Sequence, residues 1–173
     1  MLKVLSAITI IFAISLPVLS KPVGSVWLSG GSNQEGNFSG AIGARAGIIG
    51  AEVGMVGGGS SIPSGTLDYS IPHAFFTNVG SFTSNAYGAD LLFFADLNKQ
   101  KTISLYAGPG IYNRTTTDVV GSLATGWKYQ NGSTENIVAA GSGGVKVMVG
   151  KKLELGAGYH SVRGIQGSIG IRF

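Results

Sequence analysis

Arg163-Gly-Ile-Gln-Gly-Ser-Ile-Gly-Ile-Arg-Phe173 decides how the rest of the chain is read. Ile165, Ile169, Ile171 and Phe173 share one parity, while Gly164, Gln166, Ser168, Gly170 and Arg172 share the other. In an extended strand this period of two places an apolar stripe on one face and small or polar groups on the opposite one. Helix competes poorly, because 29 glycines are spread through the chain and each would cost a helix interior about 1 kcal/mol relative to Ala.

The same alternation recurs upstream. Leu153 to His160 sets Leu155, Ala157 and Tyr159 against Glu154, Gly156 and Gly158, and Ala139 to Val149 sets Val145, Val147 and Val149 against Gly144, Lys146 and Met148. Thr102 to Tyr112 and Ala86 to Asp96 alternate likewise, with Pro109 read as a bulge because it cannot donate to a ladder. Gly50 to Gly58 turns Ala51, Val53 and Met55 one way and Glu52 the other. Phe38 to Gly47 does the same with Ile42, Ala44 and Ala46 against Arg45, and Val23 to Gly31 supplies Val26 and Leu28. With the terminal segment these make eight strands, several close to the 9–11 residues a membrane-crossing strand needs. Tight connections (Gly47–Gly50, Leu97–Lys101, Gly150–Lys152) alternate with longer ones (Ser32–Asn37, Gly59–Asn85, Asn113–Asn136), and Ser161–Arg163 is short. An even count with short turns on one side predicts an all-β fold, an eight-stranded antiparallel up-and-down transmembrane β-barrel.

Composition narrows the function classes. The net charge of +4 comes from 12 Lys and Arg with no run of three, too dispersed for a nucleic-acid footprint. Absence of Cys removes disulfides and thiolate metal sites, and His73 and His160 form no metal-ligand spacing; no cofactor is expected. Met1-Leu-Lys3, the apolar run Val4 to Leu19 and the site Val18-Leu19-Ser20 have the form of a secretory signal peptide. Residues 1–20 are thus expected to be removed, leaving 21–173 as the barrel domain. No later segment reaches the ~18 continuous apolar residues of a membrane helix.

The signal peptide, the paired segments Gly40-Ala-Ile-Gly-Ala-Arg-Ala-Gly47 and Gly50-Ala-Glu-Val-Gly54, the strand Leu105-Tyr-Ala-Gly-Pro-Gly-Ile111 and the Phe173 terminus together resemble the small eight-stranded outer-membrane barrels of the outer-membrane protein A, outer-membrane protein X and opacity-protein superfamily. That resemblance implies a Gram-negative-type outer membrane, lipid around the barrel, and a terminal strand (Ile169, Ile171, Phe173) read by the outer-membrane assembly machinery. It also implies a structural or surface-interaction role. Lipid-modifying enzymes, small channels and a soluble periplasmic barrel of lipocalin type are the rivals. The lipid A deacylases carry His-x-Ser-Asn, whereas His160 and Ser161 are adjacent here and no carboxylate follows Glu154, so no triad is visible; His160 is read as a polar residue at the rim.

If the apolar parity faces lipid, the lumen receives Arg45, Glu52, Asp90, Lys146, Glu154 and Arg172. An eight-stranded barrel is only wide enough for side chains to fill, so these charges must pair or stay wet. A turn at Ile48-Ile49 would set Arg45 opposite Glu52, and a turn at Gly150–Lys152 would set Lys146 diagonal to Glu154. A salt-bridged plug is the structural reading, and a narrow ion path the functional one. The loop Gly59–Asn85 carries Tyr69, Phe75, Phe76 and Phe82, either packing upon one another above the membrane or binding a surface ligand. Mass measurement of the membrane-bound protein should give a chain beginning at Lys21; a retained Met1 would defeat the signal-peptide reading.

Overall fold

The computed structural model describes residues 24–57, 62–68 and 76–173; the proposed signal peptide lies outside them. Nine strands follow in order: β1 (Gly24–Ser32), β2 (Phe38–Ala46), β3 (Ile49–Val56), β4 (Thr66–Leu67), β5 (Phe76–Asp96), β6 (Ile103–Ser122), β7 (Lys128–Val149), β8 (Leu153–His160) and β9 (Gly164–Arg172). All except the two-residue β4 form a closed ring in which each strand pairs antiparallel with its chain neighbour. The seam between β9 and β1 runs from Ser25↔Arg172 to Ser32↔Ile165 and is finished by reciprocal backbone bonds between Gly24 and Phe173 at 3.1 and 2.9 Å. Closure satisfies the ladder groups that a hydrocarbon environment could not.

The apolar parity faces outward. Val26, Leu28, Ile42, Met55, Leu91, Phe93, Leu105, Ile111, Leu155, Ile169 and Ile171 are all exposed, whereas Trp27, Leu92, Phe94 and Tyr112 point inward and are buried. Glycine lines the inner wall where large side chains need room: a Cβ on Gly43 would collide with the Trp27 ring, and one on Gly50 with Phe94.

Several expectations are corrected. Residues 76–85 and much of 113–136 are strand rather than loop, so Phe76 and Phe82 lie half-buried in β5; Tyr69 and Phe75 fall outside the described residues. The Thr-, Ser- and Asn-rich sequence shows no continuous apolar stripe because bulges at Asn78/Gly80, Thr83/Asn85 and Thr117/Val119 break the alternation, although Thr83, Thr117, Val119 and Tyr129 are buried there; β-branched Thr still suits a pleated backbone. The β2–β3 turn is Gly47-Ile48, with Ala46 opposite Ile49. Pro109 sits in an unshifted register: pairing with β5 skips its neighbourhood between Asp90↔Gly110 and Phe93↔Ala107, while the bulges lie at Asn78/Gly80, Thr83/Asn85 and Thr117/Val119. Lacking an N–H, proline here interrupts the ladder without displacing it.

β5, β6 and β7 have 21, 20 and 22 residues, about twice a membrane crossing. Their surplus rises as a three-stranded sheet on one side of the barrel, some 30 Å by strand geometry, with β4 parallel to the top of β7.

Two turn glycines separate backbone strain from crowding. Gly47 has φ 65° and open space around its missing Cβ, whereas Gly164 has φ 78° and a Cβ there would strike the Ser32 carbonyl. Gly47→Ala should cost about 1–2 kcal/mol, and Gly164→Ala distinctly more, read from urea midpoints of the barrel in detergent; equal midpoints would show that the β1–β9 seam yields.

Candidate functional site

The lumen holds four cations, Arg45, Lys146, Arg163 and Arg172, against four carboxylates, Glu52, Asp90, Asp96 and Glu154. They form three connected tiers. At the end carrying the short turns, Arg45 Nη2 lies 2.8 Å from Asp96 Oδ1. Ser104 Oγ donates to the same Asp96 oxygen at 2.6 Å while accepting from Arg45 Nη1 at 3.0 Å and Arg172 Nη2 at 3.4 Å.

The middle tier centres on Glu154, whose carboxylate meets Lys146 Nζ at 3.4 Å and Arg172 Nη2 at 3.2 Å and accepts from Ser25 Oγ at 3.3 Å. Lys146 Nζ is close enough for ion pairing but makes no aligned hydrogen bond. It stands 3.0 Å above the Trp27 ring centroid, and the face of that ring takes up the remaining positive charge. Trp27, Phe94 and Tyr106 pack with centroid separations of 5.9 and 5.7 Å, forming an aromatic layer across the lumen.

The upper tier is built on Arg163. Its guanidinium bonds Glu52, reaches Asp90 Oδ2 at 3.1 Å and donates to Gln166 Oε1 at 2.9 Å. Trp27 Nε1 donates to the second Glu52 oxygen. Asp90 also receives the Tyr112 hydroxyl at 2.8 Å and pairs with His160 Nε2 at 2.8 Å. His160 Nδ1 accepts backbone N–H bonds from Val162 and Arg163, both at 3.0 Å, so Nδ1 carries no proton and Nε2 is the donor to Asp90.

Arg45, Glu52, Asp90, Lys146, Glu154 and Arg172 all lie buried inside, but not every partner is the expected one. Arg45 faces Gly50 rather than Glu52, because the turn falls one residue earlier than expected; Arg45 pairs with Asp96 and Glu52 with Arg163. Lys146 does lie diagonal to Glu154, since Met148 is the residue opposite it. His160 is 1% exposed, not a rim residue. The Ser161 hydroxyl accepts from the Gly141 N–H at 3.0 Å, while both His160 nitrogens are engaged elsewhere. Tyr112 is an interior donor. Arg163 went unassigned because it sits in a turn, where parity carries no information. Asp96 shares the parity of Asp90, and counting it would have left three cations against four carboxylates, a deficit pointing to another cation. Ile169, Ile171 and Phe173 face outward and are 55%, 57% and 76% exposed.

Above the upper tier, a cleft of about 120 Å³ opens among Glu35, Val56, Thr83, Arg114 and Ser161. Arg114 Nη2 lies 3.1 Å from Glu35 Oε1 across it.

No family model and no curated protein sequence matches the chain. Among solved structures it is similar to Ail, the attachment invasion locus protein of Yersinia pestis. In one crystal structure of Ail the identity is 12% and the TM-score 0.48; in another, with the heparin analogue sucrose octasulfate, they are 14% and 0.46, and both cover 89% of this chain and 100% of Ail. Neisserial surface protein A is similar at 17% identity and a TM-score of 0.39, over 87% of this chain and 93% of that one. The chain's own closed ring and outward apolar belt make it a small eight-stranded β-barrel of the outer-membrane type.

Removing one member of a buried ion pair leaves the other uncompensated, at about 3–5 kcal/mol. Arg163→Met should therefore destabilise the barrel more than the triple change Arg163→Met, Glu52→Gln, Asp90→Asn, measured by urea titration with tryptophan fluorescence. If the triple variant is the weaker one, the upper tier is not held by charge compensation.

Proposed function

We propose that the protein is a bacterial outer-membrane barrel, delivered by its signal peptide, that acts as a structural and surface-interaction protein through its extracellular face. Outer-membrane lipid surrounds the apolar belt in this reading, and the assembly machinery engages the strand ending in Ile169, Ile171 and Phe173. The observation that carries the proposal is the β5–β7 sheet: residues 76–85, 113–122 and 128–138 extend beyond the barrel wall, where they serve neither membrane crossing nor closure. A plugged lumen supports the same view over a channel, because its charges are paired and its width is filled by side chains.

The extension ends in Leu123-Ala-Thr-Gly-Trp127, where Leu123 is 69% and Trp127 58% exposed. A large aromatic at the tip, above rows of Thr, Ser and Asn, suits contact with another surface. The octasulfate seen with Ail is a polyanion and is not carried over. The described extracellular residues here include Glu35, Asp68, Asp118 and Glu135 against Arg114 and Lys128, which disfavours a sulfated ligand.

Cells displaying the chain should adhere to members of a panel of glycan and cell surfaces that control cells ignore. Leu123→Ser with Trp127→Ser should reduce that adhesion at least about fivefold, the loss of roughly one contact of 1 kcal/mol, while unheated gel migration of the barrel stays unchanged. Equal adhesion of displaying and control cells would overturn the proposal.

A further inference from the structure

The charged side chains sort by level along the barrel. The lumen is balanced at four against four, and the described extracellular end carries four carboxylates against two cations. At the opposite end stand Lys99, Lys101, Lys151 and Lys152, all exposed, with no Asp or Glu among the described residues of those turns. This is the end with the short turns, the periplasmic side in outer-membrane barrels.

These lysines are gathered rather than scattered. The β5–β6 turn brings Lys99 and Lys101, the β7–β8 turn brings Lys151 and Lys152, and together with Arg172 and Phe173 they line a cleft of about 350 Å³. Arg172 is 8% exposed, and its Nε is buried without a hydrogen-bond partner. Its other nitrogens are occupied: Nη1 donates to the Lys101 carbonyl, and Nη2 meets Ser104 and Glu154. Four exposed ammonium groups around one cleft, with no carboxylate side chain among its lining residues, ask for an anion.

What stands beside the cleft identifies the kind of anion. Leu97, Val149, Leu153 and Ile171 are exposed on the adjoining lipid-facing surface, and Phe173 belongs to both cleft and belt. A ligand that satisfies this setting is charged at one end and apolar at the other. We propose that the cleft binds an anionic phospholipid of the periplasmic leaflet, its phosphate among the four lysines, its acyl chains along Ile171 and Phe173. The proposal concerns the opposite end of the molecule from the extracellular sheet and does not depend on that sheet's function.

Native mass spectrometry of the full chain in detergent, with phosphatidylglycerol and phosphatidylcholine offered at equal concentration, tests it. Phosphatidylglycerol should be retained preferentially, and Lys151→Gln with Lys152→Gln should lower that preference by roughly twenty-five-fold, about a factor of five per lysine, with unheated gel migration unchanged. Should the variant fail to fold, the wild-type protein still decides: the preference should fall from low to high salt. Equal retention of the two lipids, a preference indifferent to salt, or one untouched by the folded variant overturns the site. Inorganic phosphate competing as well as the lipid at equal concentration would overturn the lipid assignment, showing a site for any free phosphate.

Discussion

Charge compensation inside a closed eight-stranded ring is the condition on which this structure rests. Closing the sheet through Gly24 and Phe173 satisfies the ladder, but it also creates an interior too narrow for water to solvate eight ionised groups freely. Pairing four cations with four carboxylates resolves that difficulty only because each carboxylate also has further donors. Glu52 has Trp27 Nε1, Asp90 has Tyr112 and His160, Asp96 has Ser104, and Glu154 has Ser25. Lys146 takes a different route, resting on the Trp27 face. The inward glycines follow from the same condition, since the layer of Trp27, Phe94 and Tyr106 fits only where the wall beside it has no Cβ.

How much of this could be read from residues alone depends on whether they lie in the membrane. There the solvent differs on the two sides of the sheet, so parity carries information, and Ile169, Ile171 and Phe173 fall outside while Arg45, Glu52, Asp90, Lys146 and Glu154 fall inside as the alternation requires. Parity fixes a face but not a partner. A turn placed one residue late was enough to pair Arg45 with the wrong carboxylate, whereas the three-residue turn at Gly150–Lys152 gave the Lys146–Glu154 diagonal directly. Beyond the barrel wall bulges break the parity and polar residues replace the apolar stripe, although Thr117, Val119 and Tyr129 are buried there, and strands β5 to β7 look like loop. Arg163 was hidden for a related reason: a turn residue has no face until the chain around it is folded.

The extension raises a problem that the barrel itself avoids. Among the described residues β3 pairs with β5 no further than Ala86 and β8 with β7 no further than Ser142, so the upper halves of β5 and β7 run on as sheet edges, which are templates for unwanted pairing. Each edge is interrupted. β5 carries bulges at Asn78/Gly80 and Thr83/Asn85, which twist it away from a regular ladder, and β7 has β4 laid along Lys128 and Tyr129. Lys128 and Glu135 add charge to the same strand. A surface built in this way can expose Trp127 at its tip without presenting a continuous pairing edge along its length.

The filled lumen also separates the two ends of the molecule. A group at the upper cleft, such as the Arg114–Glu35 pair, is separated from the lysines at the short-turn end by three tiers of buried ion pairs and an aromatic layer. Closely packed networks of this kind hold one arrangement rather than sliding among many. Among the described residues Arg172 is the charged side chain common to the interior and the lysine-lined cleft, and it is anchored through Glu154 and Ser104 on its inner side. Substitutions at the tip of the β5–β7 sheet therefore leave the charge balance of the wall beneath it untouched. Where the lumen is sealed by its own charges, the two faces of the barrel can take on different partners independently.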